Sequence, residues 1–120
     1  MSSELVETVM DLLAPWRDVS ARRLFSGHGL YRDGLIFAIV IRDTLYLKAD
    51  AQDRDRFVTR GLSRFTYERK RRVVSLNGYF EAPPEVFDDG DEMIRWCEGA
   101  LAAARRIRDA KPPRARRAAR

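Results

Sequence analysis

The chain has 120 residues, 45% of them hydrophobic and 34% charged, which is the composition of one globular domain that folds without disulfide or metal staples. Its single cysteine, Cys97, excludes an intrachain disulfide and fits a reducing compartment. No apolar run approaches the roughly 20 residues of a membrane span. Glu4 and Glu7 stand where a secretory signal would carry Lys or Arg. We therefore expect a cytoplasmic protein without a membrane partner.

The net charge of +5 is unevenly distributed along the chain. Residues 105–120 contain eight Arg or Lys against one Asp, whereas the first 104 residues contain 15 basic and 17 acidic side chains. The basic character therefore belongs to the C-terminal end, and the rest of the chain is slightly acidic. We predict a folded domain over residues 1–108 and a disordered basic tail over residues 109–120.

The first half of the chain predicts one helix followed by strands. Apolar residues at helical spacing predict a helix over residues 3–14, which Pro15 ends. Residues 22–26 predict a first strand. Asp33-Gly34 and Arg42-Asp43 are two-residue turn signals, so residues 24–48 predict three antiparallel strands. The middle strand is apolar throughout, as expected where both faces are covered or where a second subunit is in contact.

The second half predicts two helices separated by a hairpin and a short strand. The elements are a helix between Asp50 and Gly61, a hairpin of residues 65–69 and 72–76 across Lys70-Arg71, a turn at Asn77-Gly78, a strand at 79–81 and a helix at 88–108. The predicted fold is α+β and two-layered, with helices packed on an antiparallel sheet of about five to six strands. Its predicted order is α-β-β-β-α-β-β-α.

His28, the only histidine, is the first candidate for a general base or a metal ligand. No cysteine lies near it in sequence, and the closest acid, Asp33, belongs to a turn, so an incidental role is favoured. Gly27-His28-Gly29, with Gly34 beyond it, matches neither the dinucleotide nor the P-loop spacing. A bulge or tight bend between the first two strands is the favoured interpretation.

The remaining candidates for chemistry also have simpler explanations. Cys97 lies on the apolar stripe of the last helix, which predicts a buried small side chain rather than a reactive thiol. Asp88, Asp89, Asp91 and Glu92 stand at the start of that helix, where its dipole favours acids, and their spacing is not that of a calcium loop. We therefore expect no enzymatic activity, no cofactor and no metal.

Basic residues provide the candidates for nucleic-acid binding. Arg69, Lys70, Arg71 and Arg72 are four consecutive cations at a predicted hairpin tip, where they could contact phosphates or form a solvated turn. The tail contributes five more: Lys111, Arg114, Arg116, Arg117 and Arg120. Cations on a flexible arm hold nucleic acid non-specifically, and the same tract is equally compatible with a solubilising end.

Several ordered blocks resemble the N-terminal domain of the TfoX/Sxy family. Residues 25–34 read Phe-Ser-Gly-His-Gly-Leu-Tyr-Arg-Asp-Gly and are followed by Phe37-Ala38, similar to the family pattern Phe-Gly-Gly-x-Gly-hydrophobic-Tyr…Gly…Phe-Ala. Further blocks are residues 45–50, residues 65–67, residues 79–83 (Tyr-Phe-Glu-Ala-Pro) and a final helix with Trp96 and residues 100–104. The resemblance covers residues 5–105 and departs from the pattern at Ser26, where the family has glycine.

The resemblance implies a bacterial, cytoplasmic, non-enzymatic α+β domain, similar to secretion-chaperone-like folds that frequently form dimers. Family members regulate natural competence as transcriptional co-activators alongside the cyclic-AMP receptor protein. Full-length regulators carry a second, helical domain, and we expect this chain to lack it. The hypothesis is a regulator that binds a protein partner and DNA. The alternative is a protein- or ligand-binding adaptor with no role in transcription.

Overall fold

A computed structural model describes residues 2–24 and 26–110, without the side chains of residues 2, 3, 68, 69 and 74–77. The helices are α1 (Ser2–Leu13), α2 (Arg54–Thr59) and α3 (Gly90–Ala110). The strands are β1 (Ser20–Leu24), β2 (Gly27–Arg32), β3 (Leu35–Ile41), β4 (Thr44–Lys48), β5 (Arg64–Arg69) and β6 (Arg72–Glu81). The predicted fold class is confirmed: the molecule is α+β, with an open antiparallel sheet and helices packed on it.

The strands lie in the order β1-β2-β3-β4-β6-β5, and every neighbouring pair is antiparallel. Three hairpins turn at Asp33-Gly34, Arg42-Asp43 and Lys70-Arg71, where both central residues have positive φ. This is the signature of the type I′ turn, whose twist matches that of the flanking strands. The predicted two-residue turns are therefore confirmed.

The first strands differ in number from the prediction. β1 ends at Leu24, which pairs with Gly27 across a tight reversal, so the chain forms four strands before α2 rather than three. A register irregularity between Leu30 and Tyr31 follows in the pairing of β2 with β3. The predicted tight bend is present between β1 and β2, before the segment Gly27-His28-Gly29 instead of within it. The irregularity after this segment lies between β2 and β3 and was not predicted.

The turn predicted at Asn77-Gly78 is wrong, because β6 runs through these residues without reversing. β6 pairs with β5 from Arg72 to Leu76 and again at Phe80, which pairs with Arg64 after a register shift. From Tyr79 to Glu81 the strand also pairs with β4 on its other side. The Gly78 carbonyl accepts a hydrogen bond from the Ala49 amide at 2.9 Å. A glycine signal that normally marks reversal here lies at the register irregularity between β5 and β6, where the pairing with β4 also begins.

The main core lies on one face of the sheet, under all three helices. Phe37 of β3 packs against Trp16 with ring centroids 5.4 Å apart, and Phe57 of α2 stacks on Phe80 of β6 at 5.2 Å. Asp89 caps α3, since its Oδ1 accepts hydrogen bonds from the amides of Asp91 at 2.9 Å and Glu92 at 3.4 Å. The acidic start of this helix is thus structural, as the sequence predicted.

In the described part of the chain, no helix combines the length and the apolar character needed to cross a membrane.

Candidate functional site

The face of the sheet opposite the helices, which we call the open face, has an apolar cluster of its own. Ile39 and Ile41 of β3 and Phe65 of β5 are only 1%, 2% and 3% exposed. The half-buried residues around them are Leu24, Ile36, Tyr46, Tyr67 and Tyr79. This cluster contains no helix residue among those described, so strand side chains alone cover it. The apolar run of β3 is therefore buried on both faces, as predicted.

Aromatic rings run across the open face from β4 to β5. Tyr46 lies edge-on against Phe65, with ring centroids 5.0 Å apart, although β6 separates their strands. Phe65 also stacks on Tyr67 at 6.0 Å. Burial raises the pKa of Tyr79 to about 12, with a smaller contribution from Tyr31 on β2. The open face thus presents tyrosines on four of the six strands.

Cations lie over several of these rings. The Arg42 guanidinium is 5.8 Å from the Phe65 centroid, and its Nη2 donates a hydrogen bond to the Thr66 carbonyl at 3.0 Å. This contact holds the turn between β3 and β4 against the outer strand β5. Because Arg42 adopts positive φ, the type I′ turn fixes the direction of its side chain as well as the strand register.

Two further cations contact tyrosines on the same face. Arg22 of β1 lies 5.1 Å from the Tyr31 centroid, and the Lys48 ammonium lies 5.0 Å from the Tyr79 centroid. Lys48 Nζ also donates to the Tyr79 hydroxyl at 3.4 Å. Each such contact stabilises by about 0.5–1 kcal/mol at an exposed site and by more when it is desolvated. The face therefore combines stacked rings with positive charge.

Charge is segregated between the two layers. The six strands and their three two-residue turns contain ten Arg or Lys and four Asp or Glu, whereas the three helices and residues 84–89 contain six Arg and eleven Asp or Glu. Acids that form ion pairs among the described side chains are Asp33, Asp50, Asp53, Glu85, Glu92 and Asp109. None of these pairs involves Arg22 or Arg42, so the positive charge of the open face is not neutralised by them.

The predicted basic tip lies at the turn between β5 and β6. Lys70 and Arg71 occupy its two central positions with φ of 52° and 67°, and Arg72 is exposed at the start of β6, paired with Arg69. The neighbouring Val73 is 72% exposed. The backbone thus places Arg69 beside an exposed cationic tip. The side chain of Arg69 is not among those that the structure describes.

The five tail candidates, Lys111, Arg114, Arg116, Arg117 and Arg120, lie outside the described residues.

Two cations that the charge count assigned to the C-terminal end belong to the fold. Helix α3 continues to Ala110, and Arg105 forms an ion pair with Asp33 at 2.6 Å. Arg106 binds Asp50 through two contacts of 2.6 and 3.0 Å, and this arginine holds the pKa of the Asp50 carboxyl below its usual value. Both arginines therefore fasten α3 to the sheet side of the molecule.

His28 is a strand residue of β2, paired with Val40 and half-buried. Its Nδ1 is buried without a hydrogen-bond partner among the described atoms. The described residues contain no group of three or more His, Cys, Asp or Glu that could hold a metal ion. Gly27 matters for packing instead, since a Cβ there would overlap the Val40 carbonyl oxygen and lie 3.0 Å from Ile41 Cγ1.

Cys97 lies fully buried in the main core, where burial raises the pKa of its thiol to about 12. Its Sγ lies 3.8 Å from the Met93 sulfur. A protonated, inaccessible thiol has neither the charge nor the access that a nucleophile needs. The prediction of a buried side chain is confirmed.

Sequence reasoning missed the open face and its residues Arg22, Tyr31 and Arg42. One signal could have indicated it: Tyr46 and Lys48 alternate with leucines along β4, so the period of two places an aromatic and a cation on the same face.

The comparisons with known proteins agree with the fold. The family model described as the TfoX N-terminal domain matches residues 11–104, which include all six strands. The resemblance identified in the sequence over residues 5–105 is therefore confirmed. A search of curated proteins found no match. Since the family model covers more than half of the chain, the protein belongs to the TfoX N-terminal domain family.

Proposed function

We propose that this protein is a non-enzymatic, cytoplasmic regulator of the TfoX/Sxy kind, which acts as a transcriptional co-activator of competence genes by binding. Its protein partner would be a transcription factor of the cyclic-AMP receptor protein type, and its basic surfaces would hold the DNA near that partner. Family membership supports the regulatory role. The charge segregation between the sheet and the helical layer is the observation that carries the binding role.

The basic tip is the part of the described chain best suited to contact a duplex. Lys70, Arg71 and Arg72 are exposed, and they lie at the end of the β5–β6 hairpin, in the part of β6 that does not pair with β4. Left-handed backbone costs an ordinary residue about 1–2 kcal/mol relative to glycine. The turn nevertheless carries Lys and Arg at both left-handed positions. A role for these cations in binding phosphates would explain why the sequence accepts this cost.

Mobility shifts of a promoter duplex across a salt series test the DNA component. The full chain is compared with a chain ending at Ala110, because a shorter truncation would remove the ion pairs of Arg105 and Arg106. Removing one phosphate contact lowers the slope of log affinity against log salt by about 0.9, so removing five tail cations lowers it by up to about 4.5. Absence of duplex binding by the full chain at low salt would contradict the proposal.

The protein component is tested with a purified factor of the cyclic-AMP receptor protein type bound to its promoter. We expect the full chain to join this complex in sedimentation velocity, and the variant K70Q/R71Q to join it more weakly. R95Q/R108Q is the matched control, since it removes two exposed cations from α3. Failure to join the complex, with the fold intact, would contradict co-activation and favour an adaptor function. The same experiment reports whether the protein forms a homodimer.

A further inference from the structure

We propose that the open face binds single-stranded DNA, with unpaired bases stacked on its tyrosines and phosphates held by its arginines. That the bound polymer is DNA rests on the proposed function. That it is single-stranded, and that it binds at this face, rests on the side chains of the open face itself. The proposed duplex site is the turn at the end of the β5–β6 hairpin, whereas this site extends over the sheet face from β2 to β5.

The first support is the distribution of rings over the sheet. Tyr31, Tyr46, Tyr79 and Tyr67 lie on β2, β4, β6 and β5, and all four are half-buried, so part of each side chain meets solvent. Adjacent strands are about 4.8 Å apart, which places the outer two of these strands roughly 19 Å apart. Every base has a π-face, so a row of aromatic side chains accepts successive bases without a fixed sequence.

The second support is the position of the cations relative to the rings. Arg22 and Arg42 lie at opposite sides of the tyrosine row, 5.1 Å from the Tyr31 ring and 5.8 Å from the Phe65 ring. Neither forms an ion pair with a described acidic side chain. A strand whose bases rest on the rings brings its phosphates alongside, within reach of both guanidinium groups. Rings flanked by cations are the usual platform for single-stranded nucleic acid.

A duplex and an acidic peptide fit this face less well. Six strands at about 4.8 Å spacing make a surface roughly 24 Å wide, whereas the major groove of a duplex is about 12 Å wide. Duplex bases are also paired and stacked internally, which leaves the tyrosine rings unused. An acidic peptide would satisfy the arginines, but its carboxylates offer nothing that stacks on four rings across neighbouring strands.

The test measures the affinity of the full chain for a fluorescent 12-nucleotide oligo-dT by anisotropy across a salt series. R22Q/R42Q removes the two open-face arginines, and R95Q/R108Q removes two exposed cations from the opposite layer. Removing two phosphate contacts on a single strand reduces the salt slope by about 1.4. We expect an affinity loss of at least about tenfold for R22Q/R42Q at low salt, and a loss below about twofold for R95Q/R108Q.

Tyr67→Leu separates stacking from charge, because it removes a ring while keeping an apolar side chain at the outer strand. Removing one stacked base–ring pair lowers the affinity by about tenfold at every salt concentration and leaves the slope unchanged. Circular dichroism verifies that each variant is folded. Should loss of the hydrogen bond from Arg42 to Thr66 unfold the double variant, R22Q alone is used, since the Arg22 side chain is exposed on an edge strand.

Four results would overturn the inference: equal affinities for R22Q/R42Q and R95Q/R108Q, an equally large loss of affinity of R22Q/R42Q for a 12-base-pair duplex, tighter binding of oligo-rU, or equal competition by polyglutamate of the same charge. The duplex experiments above are independent of these results. If promoter binding responds to the tail while oligo-dT ignores Arg22 and Arg42, the regulatory proposal stands and the open-face inference fails. If oligo-dT binds at the open face and no promoter complex forms, the reverse holds.

Discussion

Replacing Gly27 with alanine should destabilise the sheet strongly, although the change adds a single methyl group. Gly27 opens β2 and lies against β3. A Cβ at this position would lie 3.0 Å from both the Val40 carbonyl carbon and Ile41 Cγ1, and closer still to the Val40 oxygen. Carbon atoms in favourable contact are about 3.5–4.0 Å apart. The obstacle is backbone, so it cannot rotate away as a side chain would.

The expected cost follows from the movement that the methyl group requires. β2 and β3 would have to separate by more than about 1 Å at Gly27 to bring the Val40 oxygen to an ordinary contact distance. Overpacking of this kind costs about 1–3 kcal/mol, and a weakened ladder hydrogen bond adds about 1 kcal/mol. The sum is about 3 kcal/mol. For a domain of this length it corresponds to a fall in melting temperature of about 12–18 °C.

Thermal unfolding followed by circular dichroism measures this change, and two other glycines provide matched controls. At Gly78 the nearest atom to an added Cβ is the Ala49 oxygen at 3.8 Å, so Gly78→Ala should melt within about 3 °C of the parent chain. At Gly29 the nearest atom is Ile36 Cδ1 at 2.8 Å, a flexible end that can move, and an intermediate effect is expected. If Gly27→Ala melts like Gly78→Ala, the packing explanation of this glycine is wrong.

Three further predictions concern pH, reactivity and the basic turn. Because Arg106 lowers the pKa of Asp50, the pair stabilises the fold above the ordinary carboxyl pKa of about 3.9 and loses its effect as pH falls through the lowered value. Urea unfolding should show Asp50→Asn less stable by about 1 kcal/mol at pH 7 and equally stable near pH 2; a constant difference would contradict this. Cys97 is buried, and burial raises the pKa of its thiol to about 12. It should therefore react with a thiol reagent at pH 8 at least about a thousandfold more slowly in the native protein than in the unfolded chain. Rapid labelling of the native protein would refute its burial. The double variant K70N/R71G should raise the unfolding free energy by about 2 kcal/mol, because both positions have positive φ, and unchanged stability would refute the type I′ assignment.

Local features of the fold were predictable because a few adjacent residues determine them. Asp33-Gly34 and Lys70-Arg71 form turns. The strands on either side of each turn end and begin at the polar residues that interrupt the apolar pattern. Asn77-Gly78 carries an equally strong turn signal and forms none. The difference is tertiary: β6 pairs with β5 both before and after Asn77-Gly78, and it pairs with β4 from Tyr79 onward, so these contacts carry the strand through the two residues. No local propensity contains that information.

The candidate site was less predictable, since it depends on which face of the sheet the helices cover. The alternation along β4 places Tyr46 and Lys48 together but does not say that this face lacks helices. The charge count had a similar limit. It counted Arg105 and Arg106 with the basic C-terminal end, whereas the fold brings them to Asp33 and Asp50, more than fifty residues away in sequence. Sequence distance and spatial distance differ most for such contacts.

The open face has to remain stable in water without helical cover, and its cations help to explain how it does so. The Arg42 side chain shields part of Phe65 and fastens the turn to β5, and Arg22 covers part of Tyr31 at the other side of the sheet. A ligand at this face therefore meets rings that are already occupied on one side. Binding is then an exchange, in which phosphates take the guanidinium groups and bases take the rings, so the net affinity is smaller than the contacts alone would give. Salt weakens the phosphate contacts more than the ring contacts. The slope of log affinity against log salt therefore reports on the arginines, whereas a loss of affinity that is the same at every salt concentration reports on the tyrosine rings.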